Sequence, residues 1–440
     1  MINEFNKNRF SKKLEEILAV LAIFLITLNN TVTSFQILGV SIDRLAEIVL
    51  FVIIFQYIKT YIFQYKDAYY FFLVICFFIF LKTFILLIES TFAYIDFESA
   101  LRDIVRVLYF FIIFALAFFA FSILKLKALI FYLIFTAPYF LLAFSQHPLT
   151  PFTEFGFKIW EIFYINQLPE TGPKDAGYLL RDYTTLGFLI RPVGPYESPI
   201  GLSYALLPAI IISAYVYFKT EKVRYYLLFI FLIAVGSLTL TRSLILGAFI
   251  LFVYVSIAQL IFKRDRWILS LLLLSVFPLS YFVFSNQEFF LRIIDLTDVF
   301  TTDGSPRMIA WQSGFISLIE NPLYFNSEGY LSLFNEGCKR SQDCWAIISM
   351  HNGFLRVGRD FSIFGLFIYL FFLGYLFYIS IKVNEKSIFK GLYFIAIISY
   401  IIHCFFHNNT LFISEYSILI FITWMMISNI SYFFEHKAKE

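Results

Sequence analysis

Along the chain, apolar stretches about as long as a bilayer is thick alternate with short polar joints. A helix needs about 20 mostly apolar residues to cross the hydrocarbon core. Runs of that kind fall near residues 15–31, 44–63, 69–88, 104–124, 128–146, 198–218, 225–241, 243–262, 267–285, 361–381, 391–407 and 413–433, which predicts about twelve membrane-spanning helices. Two of them meet in a very short turn at "LTLTRSLILG". Two polar intervals are long, roughly 147–197 and 286–360. No internal repeat is visible. The pattern predicts a single all-α, polytopic membrane domain over residues 1–440.

Composition removes the soluble alternatives. The 440 residues are 60% hydrophobic and 15% charged, whereas water-soluble proteins carry roughly 25% charged residues. The net charge of +3 says little, since the placement of the charges carries the information, and no nucleic-acid partner is expected. The N-terminus, "MINEFNKNRFSKKLEEILAV", sets basic residues before an apolar run with no small-residue cleavage site, so it reads as a first transmembrane helix rather than a signal peptide.

Lysines in the short loops orient the spans. Lys12 and Lys13 place the N-terminus in the cytoplasm, and Lys59, Lys66, Lys125, Lys127, Lys219, Lys222, Lys263, Lys382, Lys386, Lys390, Lys437 and Lys439 then all fall on the same side. Both termini are therefore expected inside and both long loops outside. The outer side carries Arg44, Arg102, Arg106, Arg181, Arg191, Arg242, Arg292, Arg307, Arg340, Arg356 and Arg359, against only Lys158, Lys174 and Lys339. Topogenesis does not call for arginine there. A guanidinium is a planar, permanently charged fork that grips phosphate oxygens in pairs, so this asymmetry points to a site for a lipid-linked phosphate or pyrophosphate. Binding of ordinary head groups or loop carboxylates is the plainer reading. Lys82 lies within the outer half of the third run, where a charge costs at least ~2.5–3.5 kcal/mol. A partner such as Glu89 or Glu47, snorkelling to the interface, or a place in the anion site would each account for it.

Four stretches carry candidate chemistry. In "RPVGPYESPIGLSYALLPAI" (191–210), Pro192, Gly194, Pro195 and Pro199 forbid a regular helix and fix a rigid turn. Arg191 and Glu197 sit on it, either as a salt bridge or as a phosphate ligand and a sugar-orienting carboxylate. "LTLTRSLIL" (238–246) sets Arg242 on a tight turn, where Ser243 or Thr241 can cap the following helix. "DGSPRMIAWQSGFISLIENP" (303–322) predicts an amphipathic helix over 305–320 outside the membrane. Ser305 is its N-cap, Pro306 its first residue and Asn321-Pro322 its stop. Met308, Trp311, Phe315 and Leu318 would share its apolar face, and Arg307 would either reinforce its positive end or stand solvated on an interfacial packing helix. In "HNGFLRVGRD", Asn352, Arg356 and Arg359 share a face if the stretch is helical, with His351 beside it. An imidazole there can take a proton from a sugar hydroxyl; an interfacial histidine bonded to backbone is the alternative. His403 and His407 are weaker candidates. Cys338 and Cys344, close in sequence and on the oxidising side, form a disulfide candidate, and their loop holds too few ligands for zinc. Cys76 and Cys404 fall within spans as apolar filler.

In this order, "RPVGPYESP", "LTLTRS", "SPRMIAWQSGFISLIENPLYF" and "MHNGFLRVGRDFSIFGLF" resemble the O-antigen polymerase and O-antigen ligase superfamily. The likeness covers mainly 190–380; the first five spans share hydropathy alone. It implies an inverting, metal-independent GT-C-type glycosyltransferase that needs no cofactor. The enzyme would work at the periplasmic face of the bacterial inner membrane on undecaprenyl-pyrophosphate-linked oligosaccharide. Membrane lipid and a chain-length regulator protein are the further partners implied. Carried over by position, Arg191, Arg242 and Arg307 would hold the pyrophosphate and His351 would serve the acceptor; apart from the likeness, Glu197 or an outer aspartate is the other candidate base. Arg356, Arg359 and Asn352 would add substrate contacts. Ligases follow their His-Asn stretch with Gly-x-x-Gly-Thr-Thr. Here Ser362 stands for the first glycine and Leu366-Phe367 for the threonines, which favours the polymerase. A ligase passing polymer to lipid A-core is the near rival and a lipid-linked oligosaccharide transporter the distant one. Transporters gather polar residues at mid-membrane and often show inverted repeats.

Overall fold

The computed structural model describes residues 2–28, 31, 36–37, 40–64, 66–92, 97–147, 150–165, 191–196, 198–262, 306–339, 352–383, 385–407 and 421–428. The described chain is helical apart from one two-stranded hairpin, β1 (Gln36–Ile37) paired antiparallel with β2 (Val40–Ser41). The helices are α1 (Ile2–Leu28), α2 (Ile42–Gln64), α3 (Lys66–Phe92), α4 (Phe97–Leu124), α5 (Leu126–Ser145), α6 (Thr153–Ile165), α7 (Pro199–Thr220), α8 (Val223–Leu238), α9 (Arg242–Phe262), α10 (Pro306–Glu320), α11 (Ser327–Lys339), α12 (Gly353–Lys382) and α13 (Ser387–Phe406). Residues 421–428 are helical as well. Seven helices among the described residues are long and apolar enough to cross a membrane, and α8 is a shorter apolar helix. The chain is thus an α-helical membrane protein. The run expected at 267–285 lies outside the described residues.

Two packed groups make the bundle. In the first, α4 is the hub against which α1, α2 and α3 pack; its residues Ala115 to Phe121 are wholly buried. In the second, α7, α8, α9, α12 and α13 pack on one another, with α5 bridging to α7 and α3 to α12. α7 is apolar on every side because it is enclosed on every side. Between α9 and α13, Gly247 lets Ser399 approach so closely that a Cβ there would lie 3.2 Å from that of Ser399. The Ser399 hydroxyl donates to the Gly247 carbonyl at 3.1 Å. Helices in lipid gain nothing from hiding apolar surface, so close backbone approach and interhelical hydrogen bonds hold them together.

The two long polar intervals are partly helical. α6 occupies the first. The second carries α10, α11 and the start of α12, which begins well before the apolar run. α10 stops at Glu320, ahead of Asn321-Pro322. Its buried side differs from expectation. Trp311 and Leu318 face inward, but Phe315 is 57% exposed, and Ala310, Ser313 and Ser317 are buried instead. The helix turns its small residues to the bundle because they allow the closest approach.

α12 is two helices joined at a break. Phe361 (φ −134°, ψ 17°) and Ser362 (φ 64°, ψ 177°) leave helical geometry. Breaking the ladder releases backbone groups that must find partners. The Asp360 carbonyl accepts from Lys82 Nζ at 3.0 Å, and the Ile363 amide donates to the Pro322 carbonyl at 3.3 Å. Lys82 therefore spans from α3 to the break in α12, while Glu47 receives the Tyr109 hydroxyl. Ser362 occupies a backbone region that side-chain-bearing residues enter at a cost of about 1–3 kcal/mol. Its buried hydroxyl has no hydrogen-bond partner among the described residues. Ser362→Gly removes both penalties and is expected to raise the melting temperature of the purified protein; a lowered melting temperature would show that the break is not under strain.

Candidate functional site

The N-termini of α7, α9 and α12 and the C-terminal ends of α5, α8 and α13 gather at one end of the bundle, with α10 and α11 beside them. The turn at 191–196 is the first piece. Its anchor is Gln146, just past α5 and fully buried. Gln146 Oε1 accepts from the amides of Val193 (2.9 Å) and Gly194 (2.8 Å), and Nε2 donates to the Gly194 carbonyl (3.2 Å). Gly194 has φ +60°, which glycine adopts freely. From α6, Trp160 Nε1 donates to the Tyr196 carbonyl at 2.8 Å. Ser198 then caps α7, accepting from the Gly201 amide at 3.1 Å, and Pro199 fills the first helical position.

This turn aims Arg191 at the joint between α8 and α9. Arg191 Nε donates to the Thr239 carbonyl (2.8 Å) and Nη2 to Thr241 Oγ1 (3.3 Å). Leu240 bends the joint with φ 52°, and Arg242 opens α9 directly after it. The Thr241 hydroxyl expected to cap α9 serves Arg191 instead. Ser243, the other expected cap, pairs through Oγ with His403 Nδ1 at 2.7 Å.

Arg307 enters from the first turn of α10. Trp311, one turn further on, packs edge-on against Phe405 (centroids 5.1 Å) and against Phe406 (6.4 Å) at the end of α13. The side chain of Arg307 is half-buried. Burial pushes its pKa down, and the like charge of Arg242 pushes it down further. Among the described residues Arg307 makes no ion pair or hydrogen bond. The structure thus brings Arg191, Arg242 and Arg307 to one place, two of them close enough to repel.

The first two turns of α12 form an adjoining polar group. Asn352 is its N-cap: Oδ1 accepts from the amides of Phe354 (3.0 Å) and Leu355 (3.1 Å), which commits that oxygen to the helix. Arg359 Nε bonds Asp360 Oδ1 at 2.8 Å, and Arg356 Nε lies 3.6 Å from Oδ2. Arg359 also faces Tyr330 of α11, whose pKa burial raises and the arginine lowers. Trp311, Leu318, Phe325, Tyr330 and Leu355 share one apolar cluster, which fastens α10 and α11 to α12. His351 and Glu197, the candidate bases, lie outside the described residues. So does Cys344; Cys338, at the end of α11, is disulfide-bonded, whereas Cys76 and Cys404 are free thiols.

Gln146 is not among the candidates that the sequence marks, and His403 is only a weaker one. Gln146 gave no signal beyond a polar residue at the end of an apolar run. His403 is fully buried and flanked by two serines and the Tyr204 ring, which lies 4.9 Å away between centroids. Among the described residues, no group of three or more His, Cys, Asp or Glu side chains is placed to hold a metal. The chain matches no known family model, and no curated protein is significantly similar to it.

Proposed function

We propose that the protein is a glycosyltransferase that polymerises surface polysaccharide. It would join undecaprenyl-pyrophosphate-linked repeat units at the periplasmic face of a bacterial inner membrane, with both termini cytoplasmic. The proposal includes the five spans beyond the seven already described and a GT-C-type architecture. One observation carries it: at the end of a membrane bundle Arg242 comes close enough to Arg307 to depress its pKa, and Arg191 is bonded to the joint directly before Arg242. A diphosphate fits this need, since its charge relieves the repulsion and its oxygens match the planar forks. The positive end of α10 adds to the field.

In the reaction, the acceptor hydroxyl attacks the anomeric carbon of the donor and the bond from that carbon to lipid pyrophosphate breaks, inverting the configuration. The acceptor proton passes to a base, for which His351 and Glu197 are the candidates. Negative charge grows on the departing diphosphate. Fixed cations placed before the reaction stabilise that charge more in the transition state than in the ground state, and each such donor is worth roughly 3–4 kcal/mol. Arg191, braced against the turn at 239–241, contributes charge and holds Arg242 in place. The order of motifs from 190 to 380, and the departures at Ser362, Leu366 and Phe367, favour the polymerase over the ligase.

Reconstitution tests this directly. Purified protein in liposomes with lipid-pyrophosphate-linked repeat units is expected to yield a ladder of longer lipid-linked glycans without any ion gradient. Transfer to lipid A-core in place of elongation would show a ligase, and movement of glycan across the bilayer without new bonds would show a transporter.

A further inference from the structure

His403 sits where α7, α9 and α13 meet, and each of its ring nitrogens has a defined partner. Ser203 of α7 donates its hydroxyl hydrogen to the Ile200 carbonyl at 2.6 Å. That oxygen therefore faces His403 Nε2, 3.1 Å away, as an acceptor, so Nε2 carries the hydrogen. In the neutral ring Nδ1 is then an acceptor, and Ser243 of α9 donates to it at 2.7 Å. Tyr204 and His407 close on the ring, with centroids 4.9 and 5.1 Å away, and fix its plane. Filling this space with apolar side chains would satisfy packing. A buried, fully paired polar network instead specifies one geometry. What it specifies is the first turn of α9, because the Ser243 hydroxyl that could have capped that helix is turned to the histidine.

We infer that His403 is a positioning residue for the anion site: through Nδ1 and Ser243 it fixes the first turn of α9 and with it the guanidinium of Arg242. This rests on the reading of Arg242 and Arg307 as an anion site. His403 itself need not touch the ligand. The bond at Nε2 anchors the ring to α7, and the bond at Nδ1 transmits that anchorage to the residue beside Arg242.

The two bonds can be separated by substitution. His403→Asn sets its amide oxygen where Nδ1 stood and keeps an acceptor for Ser243. His403→Gln reaches Ser203 with its amide nitrogen and abandons Ser243. Titration calorimetry of the full-length protein with inorganic pyrophosphate, alongside thermal melting, reads the difference. His403→Gln is expected to weaken pyrophosphate binding about tenfold, the equivalent of about 1.4 kcal/mol, while His403→Asn stays within about twofold of the parent. Ser243→Ala, a minimal change, should weaken binding as His403→Gln does, and the double variant should be no weaker than either. Equal affinity in the Asn and Gln variants, whatever its level, overturns the inference, and so does unchanged binding by Ser243→Ala. If the parent protein fails to bind pyrophosphate, or Arg242→Ala binds it equally well, the anion-site reading itself falls and takes this inference with it.

Discussion

Arg307→Ala is expected to cut glycan elongation by a factor of roughly 100 or more, the typical loss when one preplaced transition-state donor is removed. Its effect on stability should run the other way. Arg307 is half-buried, its pKa is depressed by burial and by Arg242, and no acid or hydrogen bond compensates it among the described residues. Removing it takes a like charge away from Arg242, so the melting temperature should hold or rise. Paired measurement of elongation rate and thermal melting distinguishes a ligand-binding arginine from a structural one, whose loss lowers both. Arg307→Lys keeps the charge but loses the fork, and it should fall between parent and alanine variant. Unchanged elongation by Arg307→Ala would remove this residue from the mechanism.

The largest stability effect is expected at Gln146. Leucine has about the same size, yet Gln146→Leu strips partners from two amides and one carbonyl inside the protein. Each buried orphan costs about 1–3 kcal/mol, so three together should cost roughly 3–9 kcal/mol. The loss is local in origin. Hydrogen exchange should accelerate most at the amides of Val193 and Gly194, and Arg191 should lose its fixed aim at Thr239 and Thr241. Gln146→Glu keeps an acceptor for both amides while giving up the donor, and it should recover part of the stability. A Gln146→Leu protein that melts like the parent, with unchanged exchange at 193 and 194, would show that the turn holds itself.

Parts of this site were open to sequence reading. The proline-rich turn at 191–199, the tight joint before Arg242 and the start and stop of α10 are local matters, governed by the φ of proline, cap chemistry and the breaker at Asn321-Pro322. Asn352 was expected as a substrate contact on a helix face and is instead the N-cap of α12, a role that Asn directly before a helical run commonly takes. The aim of the side chains was not legible. Arg191 meets Thr239 across 48 residues, His403 meets Ser203 across 200, and Lys82 meets Asp360 across 278. No periodicity within one helix encodes such pairs. The buried side of α10 was equally hidden, because whether Phe315 or Ser317 faces inward depends on what lies opposite.

Sequence alone determined that this chain builds helices and that they are membrane helices. Backbone polar groups have no water to bond in hydrocarbon, so long apolar runs leave one spanning solution. Tertiary structure decided everything that hydropathy cannot see. Lipid tails and protein interior are equally apolar, so the enclosed α7 and the lipid-facing stretches of α12 look alike as strings of residues. The gathering of Arg191, Arg242 and Arg307 likewise depends on which helix ends share one rim of the bundle, and contacts between distant segments set that arrangement.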